Sequence, residues 1–159
     1  MILVKFEPLI LGTSEVKGYK GWIEFDQYSF DIQRYIPMQG NDRTPQKPSV
    51  SGLSLSKFAD KTSPEFFIQA LAGKAFTKVT VAVLHPAGTA ESQQRLLTIE
   101  LSAPIVSTFS TQCQSGSLPV ERIHLNFVEI RYSYGNFDGG KQKGQAEKGY
   151  NVITRELVS

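Results

Sequence analysis

The alternation of apolar and polar residues changes phase inside the long strand-forming stretches of this chain. Over Trp22–Gln33, apolar side chains stand at odd positions as far as Phe25 and at even positions from Tyr28 onward. Successive side chains of a β-strand point to opposite sides, so each side of a regular strand keeps one parity. The change of parity therefore predicts a bulge or a sharp bend near residues 25–28.

Two further stretches are also interrupted part-way along. Ile123–Tyr134 changes parity at Phe127–Val128, and Pro104 interrupts Arg95–Ser110. Strands that change face allow a sheet to curl, and a proline forces a bend or an edge position. The sequence predicts a mainly β fold with one helix: a small β-barrel of bent antiparallel strands with a flanking α-helix. Other strands are expected at Ile2–Phe6, Leu53–Phe58, Phe76–Leu84 and Tyr150–Leu157.

The predicted helix covers Thr62–Ala72. Thr62 and Glu65 have the spacing of a capping box, and Pro64 occupies the first turn, where its missing N–H costs nothing. Gly73 is expected to end the helix in the left-handed conformation. The residues at helical spacing that form one apolar stripe are Phe66, Phe67, Ala70 and Leu71.

Two segments are predicted to lack regular structure. Pro37–Ser51 contains three prolines, which exclude a helix or a central strand and indicate a long mobile loop. Gly135–Gly149 is rich in glycine and lysine, and such a segment buries too little apolar surface to offset the entropy lost on ordering. We therefore expect it to be flexible. A length of 159 residues without an internal repeat predicts a single domain over residues 1–159.

Composition and charge exclude several classes of protein. The chain has 17 Lys and Arg against 15 Asp and Glu, and a net charge of +2 is too small for a protein that coats nucleic acid. A single cysteine excludes a disulfide framework. No apolar run reaches the roughly 18–20 residues of a membrane helix. Lys5 interrupts the first apolar stretch too early for a signal peptide. We expect folding in a reducing cytoplasm, with no membrane insertion and no nucleic-acid partner.

The reactive side chains are not arranged as a catalytic or metal site. His85 and His124 have no Cys, Asp or Glu at metal-ligand spacing, and Cys113 lies in a loop of serine and glutamine. The glycine-rich segment 139–144 lacks the spacing of a phosphate-binding loop. The sequence therefore predicts no catalytic residue, no metal and no cofactor, and a protein that is not an enzyme.

Four segments in order along the chain resemble one family. They are Ser54–Pro64 (SLSKFADKTSP), Ala72–Lys74 (AGK), Glu121–Phe127 (ERIHLNF) and Gly149–Asn151 (GYN). Together they resemble the haemolysin-coregulated protein (Hcp) family, the tube-forming component of bacterial type VI secretion systems. The resemblance extends over nearly the whole chain.

The resemblance implies a structural role. Members of the family resemble phage tail-tube proteins, with a small β-barrel and one flanking helix. Six subunits close into a ring, and rings stack into a hollow tube that sits beneath a spike protein and inside a contractile sheath. Contraction ejects the tube with effectors in its lumen. The resemblance therefore implies a homohexamer that is made in the bacterial cytoplasm and then secreted without a signal peptide.

Candidate contact residues follow from this resemblance together with the strand pattern. The residues that alternate with Tyr28, Phe30 and Ile32, which we expect to face the core, should line the lumen: Gln27, Ser29, Asp31 and Gln33. The long loop and the helix flank should supply ring or stacking contacts, through Gln39, Asn41, Arg43, Phe66 and Gln69.

Two other functions compete with the tube subunit. A monomeric β-barrel can hold a small ligand, although many Phe and Ile residues here favour a filled interior. The other possibility is a hydrolase or a nucleic-acid module. In a nucleic-acid module, the bases of a single strand would stack on Tyr28, Tyr132 and Tyr134. No basic groove accompanies those tyrosines in the sequence.

Overall fold

The computed structural model of the chain describes residues 1–85, 94–138 and 141–159, with the backbone alone at 136–138 and 141–143. The described part confirms the mainly β fold with one helix. Its elements are β1 Ile2–Glu7, β2 Ile23–Phe25, β3 Gln27–Ser29, β4 Ile32–Gln33, β5 Ser49–Val50, β6 Leu53–Phe58, α1 Ser63–Ala72, β7 Lys78–Leu84, β8 Arg95–Ser102, β9 Ile105–Gln112, β10 Val120–Asn126, β11 Glu129–Asp138, β12 Lys141–Asn151 and β13 Glu156–Val158.

The strands form two main antiparallel sheets that share one core. The larger sheet has the order β13-β12-β11-β8-β7-β1-β2, the smaller one β3-β6-β10-β9, and β4 and β5 form a separate ribbon. Neither order closes on itself within the described ranges, so bent strands join two open sheets around the core. That core contains buried side chains from both sheets, among them Phe6, Val81 and Ile99 from one and Leu55 and Ile123 from the other.

Each predicted change of face is a point where the chain crosses from one sheet to the other. The stretch 22–33 is three short strands instead of one, and it leaves the large sheet at Asp26. Ala103–Pro104 separates β8 from β9, and Phe127–Val128 separates β10 from β11. The predicted bends are confirmed, and the expectation of one continuous strand in each stretch is wrong. Because apolar residues face the same core before and after each crossing, the positions they occupy change from odd to even or from even to odd.

The helix is found within one residue of its predicted bounds, but its start differs from the prediction. The side chain of Thr62 makes no capping hydrogen bond to the helix and instead donates its hydroxyl to Asp60 Oδ1. Gly73 ends the helix at φ 68°, as expected. Of the apolar stripe, Phe66 is fully buried, whereas Phe67 and Leu71 are 52% and 71% exposed.

The C-terminal third is more regular than the sequence predicts. β11 and β12 pair from Glu129↔Asn151 to Asp138↔Lys141, so the expectation of an irregular segment over 135–149 is wrong wherever that segment is described. Residues 139 and 140 lie outside the described residues. β8 pairs with β11 only as far as Tyr134, and the hairpin continues beyond it as two strands. Tyr150 lies near the end of β12 instead of opening the last strand.

The long loop lies between the two strands of the small ribbon. Residues 34–48 are irregular apart from one bridge between Gln39 and Asp42, which confirms the loop predicted from the prolines. Its last predicted residues differ, because Ser49 and Val50 form β5 and pair with Gln33 and Ile32. The ribbon therefore holds the two ends of the loop together.

Candidate functional site

The four-stranded sheet has one face in the core and one face open to solvent. Its inward residues include Leu53, Leu55, Ile123 and Leu125, all fully buried. The alternate residues carry hydroxyl, amide, imidazole or guanidinium groups over most of the opposite face. We call the outward-facing polar residues of β3, β6, β10 and β9 the polar wall.

Two rows of directly opposed residues cross the polar wall, since paired residues of neighbouring strands share one face. The register between the strands gives both rows. The first is Gln27–Ser56–Arg122–Ser110 and the second is Ser29–Ser54–His124–Thr108. Within these eight positions there is one arginine, Arg122, and no Lys, Asp or Glu.

His124 is held in place by its neighbours on the wall. Its Nδ1 lies 2.9 Å from Ser54 Oγ, and its backbone oxygen accepts a hydrogen bond from Ser107 Oγ at 3.1 Å. Gly52 has φ +83°, and a Cβ there would lie 2.6 Å from Nε2 of His124. Only glycine therefore fits beside this imidazole without a shift of the ring or the backbone.

Arg122 lies in a shallow pocket of about 100 Å³ that crosses both rows. Four polar residues line this pocket with it: Gln27, Ser29, Ser54 and Ser56. Among the residues that the structure describes, no carboxylate lies within ion-pair distance of Arg122. The pocket therefore presents an uncompensated cation surrounded by short side chains that donate and accept hydrogen bonds.

The structure brings two of the four expected lumen residues into this pocket. Gln27 and Ser29 are exposed and lie on the polar wall. Asp31 and Gln33 are also exposed, but they lie beyond β3, where Asp31 Oδ2 accepts a hydrogen bond from Gln33 Nε2 at 3.4 Å. The expectation that Ile32 faces the core is wrong, because β4 has left the sheet and Ile32 is 63% exposed.

Tyr28 is the alternating residue that does face inward from β3. It is half-buried and packs against the core. Burial, together with the neighbouring Tyr132, raises the pKa of its hydroxyl above the ordinary value. The hydroxyl therefore stays protonated at neutral pH.

Sequence reasoning missed Arg122 and the two serines of β6. Their signal was the alternation of β10, in which Arg122, His124 and Asn126 are interleaved with buried residues. The alternation gives the exposed side of a strand, but it does not say which other strand lies beside it. Pairing of β10 with β6 brings together residues more than sixty positions apart.

A buried ion-pair network fixes the edge of this sheet against the helix. Lys57 Nζ lies 3.2 Å from Glu121 Oε1 and 3.0 Å from Asp60 Oδ1, and Lys57 and Glu121 are only 2% and 1% exposed. Ser63 donates its hydroxyl to the same Glu121 oxygen. The ammonium also lies 5.7 Å from the ring centroid of Phe66, within the range of a cation–π contact.

Asp60 completes this network at the start of the helix. Burial opposes the ionisation of its carboxylate, but hydrogen bonds from Thr62 and Lys57 outweigh burial and lower the pKa of Asp60 below its ordinary value. Lys57, Asp60 and Ser63 come from one of the segments singled out in the sequence, and Glu121 comes from another. The two motifs therefore meet in space.

Comparison with known proteins identifies the family. Residues 3–134, most of the chain, match the family described as "Type VI secretion system effector, Hcp". The chain belongs to the Hcp family. It is accordingly a protein of the type VI secretion system.

Individual Hcp proteins resemble the chain in sequence or in fold. The chain is 29% identical over 109 residues to Protein hcp1 of Pseudomonas aeruginosa, and the alignment covers 67% of this chain and 66% of that protein, just under two thirds of its length. Hcp1 from Salmonella typhimurium superposes with a TM-score of 0.79 at 20% identity, over 99% of this chain and 97% of the other.

Other solved structures share the fold. A structure described as a type six secretion system protein gives a TM-score of 0.89 at 21% identity, over 99% of this chain and 98% of that one. A type VI secretion system effector from Yersinia pestis gives 0.76 at 21% identity, over 96% and 100%. At these identities the superpositions establish the fold.

The expected interface residues of this Hcp protein have different surroundings. Phe66 is completely buried, with its ring centroid 5.1 Å from that of Phe6, so the expectation that it contacts another subunit is wrong. Gln69 is partly exposed and donates to Glu65 Oε1 at 3.0 Å. The loop residues Gln39, Asn41 and Arg43 are all exposed.

Two apolar surfaces of the Hcp chain are open to solvent. The helix face consists of Phe67, Ile68 and Leu71, each more than half exposed. The second surface is a groove of about 410 Å³ between the small ribbon and the end of the large sheet. The apolar residues that line the groove are Phe30, Ile32, Val50, Ile130, Tyr150 and Leu157, together with Pro48.

No helix among the described residues is long and apolar enough to cross a membrane. No group of three or more potential metal-binding side chains occurs in the same part of the chain.

Proposed function

We propose that this Hcp chain forms closed hexameric rings that stack into the inner tube of the secretion system, with the polar wall facing the lumen. The observation that carries the proposal is the pair of polar rows on a sheet whose opposite face is buried. A channel through which proteins pass needs a hydrated wall that binds its cargo weakly. Six of the eight row positions are serine, threonine or glutamine, and the other two are one His and one Arg. A weakly charged wall lets cargo move.

Ring closure requires two different surfaces on each subunit that fit one another head to tail. The helix face and the apolar groove are two such surfaces, since both leave large apolar side chains open to solvent. We propose that they take part in the contacts between neighbours in the ring. Gln69 lies on the same helix and belongs to this surface.

We propose that the long loop makes the contacts between stacked rings. It extends from the ribbon over residues 34–48, and Tyr35 and Met38 are 72% and 76% exposed. Gln39, Asn41 and Arg43 would supply polar contacts at its tip. Deletion of Gln39–Lys47 should leave single rings intact and should reduce stacking and secretion, because the deletion removes no core residue. Unchanged stacking would contradict this role of the loop.

The remaining partners follow from the proposed position of the chain in the type VI secretion system. The tube would lie beneath a spike protein and inside a contractile sheath, carry effectors in its lumen, and leave the bacterial cytoplasm without a signal peptide. In this role the protein is not an enzyme and needs no cofactor, nucleic acid or membrane anchor.

Light scattering and negative-stain imaging of the purified chain test the ring directly. We expect six times the 17.7 kDa chain mass and annular particles. A 17.7 kDa species without annular particles at micromolar concentration would contradict the ring and would favour the monomeric ligand-binding protein, with the apolar groove as its ligand site.

A further inference from the structure

We infer that Arg122 makes the polar wall a receptor for carboxylate groups, so that this tube prefers cargo segments rich in Asp and Glu. The inference deepens the proposed function and rests on it, since it assigns a chemistry to the cargo that contacts the wall. It depends on the surroundings of Arg122 within one subunit, which can be tested separately from ring formation.

The guanidinium is free to bind an anion. Arg122 is exposed at the middle of the first row, with Ser56 opposite it on one side and Ser110 on the other. These short side chains cannot cover it, and no described carboxylate neutralises it. A guanidinium presents paired N–H donors whose geometry matches the two oxygens of a carboxylate.

The other residues of the pocket favour the same ligand. Ser29 and Ser56 supply hydroxyl donors, and Gln27 supplies an amide donor, within the pocket of about 100 Å³ that Arg122 lines. This volume accommodates a carboxylate on a short side chain. A lysine side chain of the cargo would bring a second cation against Arg122.

The pattern of charge favours a protein over a nucleic acid. A phosphate backbone carries closely spaced charges and is usually bound by several cations along its path. The eight positions of the two rows contain one arginine and no lysine. Separate carboxylates on a polypeptide suit such isolated cations, and ring symmetry would repeat one arginine per subunit around the bore.

Short fluorescein-labelled peptides of equal length test the preference. The probes are repeats of Gly-Ser-Glu, Gly-Ser-Gln and Gly-Ser-Lys, and binding to the full chain is followed by fluorescence anisotropy at low salt. We expect the acidic peptide to bind most tightly. Its affinity should fall about fivefold in Arg122→Gln and partly recover in Arg122→Lys, as for the loss of one exposed charge contact. Added salt should weaken the acidic peptide selectively.

Lys20→Gln is the matched control. It removes the same charge from an exposed residue in the segment that packs on the large sheet, and Lys20 is not on the strands of the polar wall. This variant should bind the acidic peptide like the wild type. Thermal unfolding of every variant checks that the fold is unchanged.

Three results would overturn the inference: equal affinities for the acidic and the glutamine peptides, an equal loss of affinity in Lys20→Gln, or tighter Arg122-dependent binding of a labelled single-stranded oligonucleotide. Light scattering on the same samples separates the two proposals. If rings form and their affinity for the acidic peptide does not depend on Arg122, only the carboxylate inference is contradicted. A monomer that binds the acidic peptide through Arg122 contradicts the ring but not the carboxylate site.

Discussion

Removal of the Glu121 carboxylate should strongly destabilise the fold, because it leaves the ammonium of Lys57 buried with less compensation. In Glu121→Leu, Lys57 loses the contact at 3.2 Å and keeps Asp60 at 3.0 Å as its one carboxylate partner among the described residues. Loss of one partner from a buried ion pair typically costs about 3–5 kcal/mol. Because Asp60 remains and its side chain is partly exposed, we expect about 3 kcal/mol, near the lower end of that range.

Replacement of both partners should recover much of this loss. Glu121 Oε2 is buried and has no hydrogen-bond partner among the described residues, so the native pair already carries a desolvation cost. In Lys57→Met with Glu121→Leu, no uncompensated buried charge remains at the two sites. The double variant should therefore be clearly more stable than Glu121→Leu alone, as hydrophobic replacements of buried pairs often are.

The assay is urea unfolding followed by circular dichroism, at one fixed protein concentration because the proposed ring assembly would couple to unfolding. The matched control is Lys78→Met, which breaks another cross-strand pair at 3.3 Å whose side chains are 43% and 35% exposed. That control should change stability by no more than about 1 kcal/mol. The reasoning is refuted if Glu121→Leu costs no more than the control, or if the double variant is as unstable as Glu121→Leu.

Three other predictions concern the wall, the helix face and acid stability. Ser29→Gln removes no core contact, so rings should form with stability changed by no more than about 0.5 kcal/mol, while a pull-down should retain less effector; unchanged retention would contradict the lumen assignment. Phe67→Asp should convert rings to monomers in light scattering, at a cost to monomer stability of about 1 kcal/mol from the lost contact with Phe109; intact rings would exclude the helix face. The pKa of Asp60 is lower in the folded state than its unfolded-state value of about 3.9, so its ionised carboxylate stabilises the fold at pH values above about 3.9. This stabilisation is lost as the pH falls through the lower folded-state pKa. Asp60→Asn should lack that acid-dependent loss in unfolding experiments, and an unchanged pH profile would contradict it.

The crossings between sheets were predictable because they leave a local signature. A chain that changes sheet while it keeps apolar residues in one core must change parity, and Phe25–Tyr28 and Phe127–Val128 both show this. Pro104 marks the third crossing by removing a backbone donor. Sequence reasoning could place these points without knowing which strands they connect.

The helix start and its exposed face were not predictable in the same way. The capping-box spacing of Thr62 and Glu65 is real, but Asp60 two residues earlier accepts the Thr62 hydroxyl first. The apolar stripe of the helix shows that Phe66 and Phe67 are both suited to burial. It cannot show that the core covers Phe66 and leaves Phe67 exposed.

The hairpin of β11 and β12 was missed because composition reports on side chains, whereas the ladder is made by the backbone. Its glycines and lysines bury little apolar surface, yet backbone groups pair from Glu129 to Asp138. The pocket around Arg122 was missed for another reason. It depends on the register of β10 against β6 and β9, which no single strand encodes.

Two adjacent residues of strand β10 have unrelated roles. Glu121 points inward and secures the helix, whereas Arg122 points outward into the polar wall. A substitution at Arg122, Ser56 or Ser110 therefore changes the exposed chemistry without a cavity or a broken ion pair beneath it. Such changes should combine almost additively with changes in the core, since they share no contacts. The residues of the polar wall could therefore be substituted one at a time without loss of the fold.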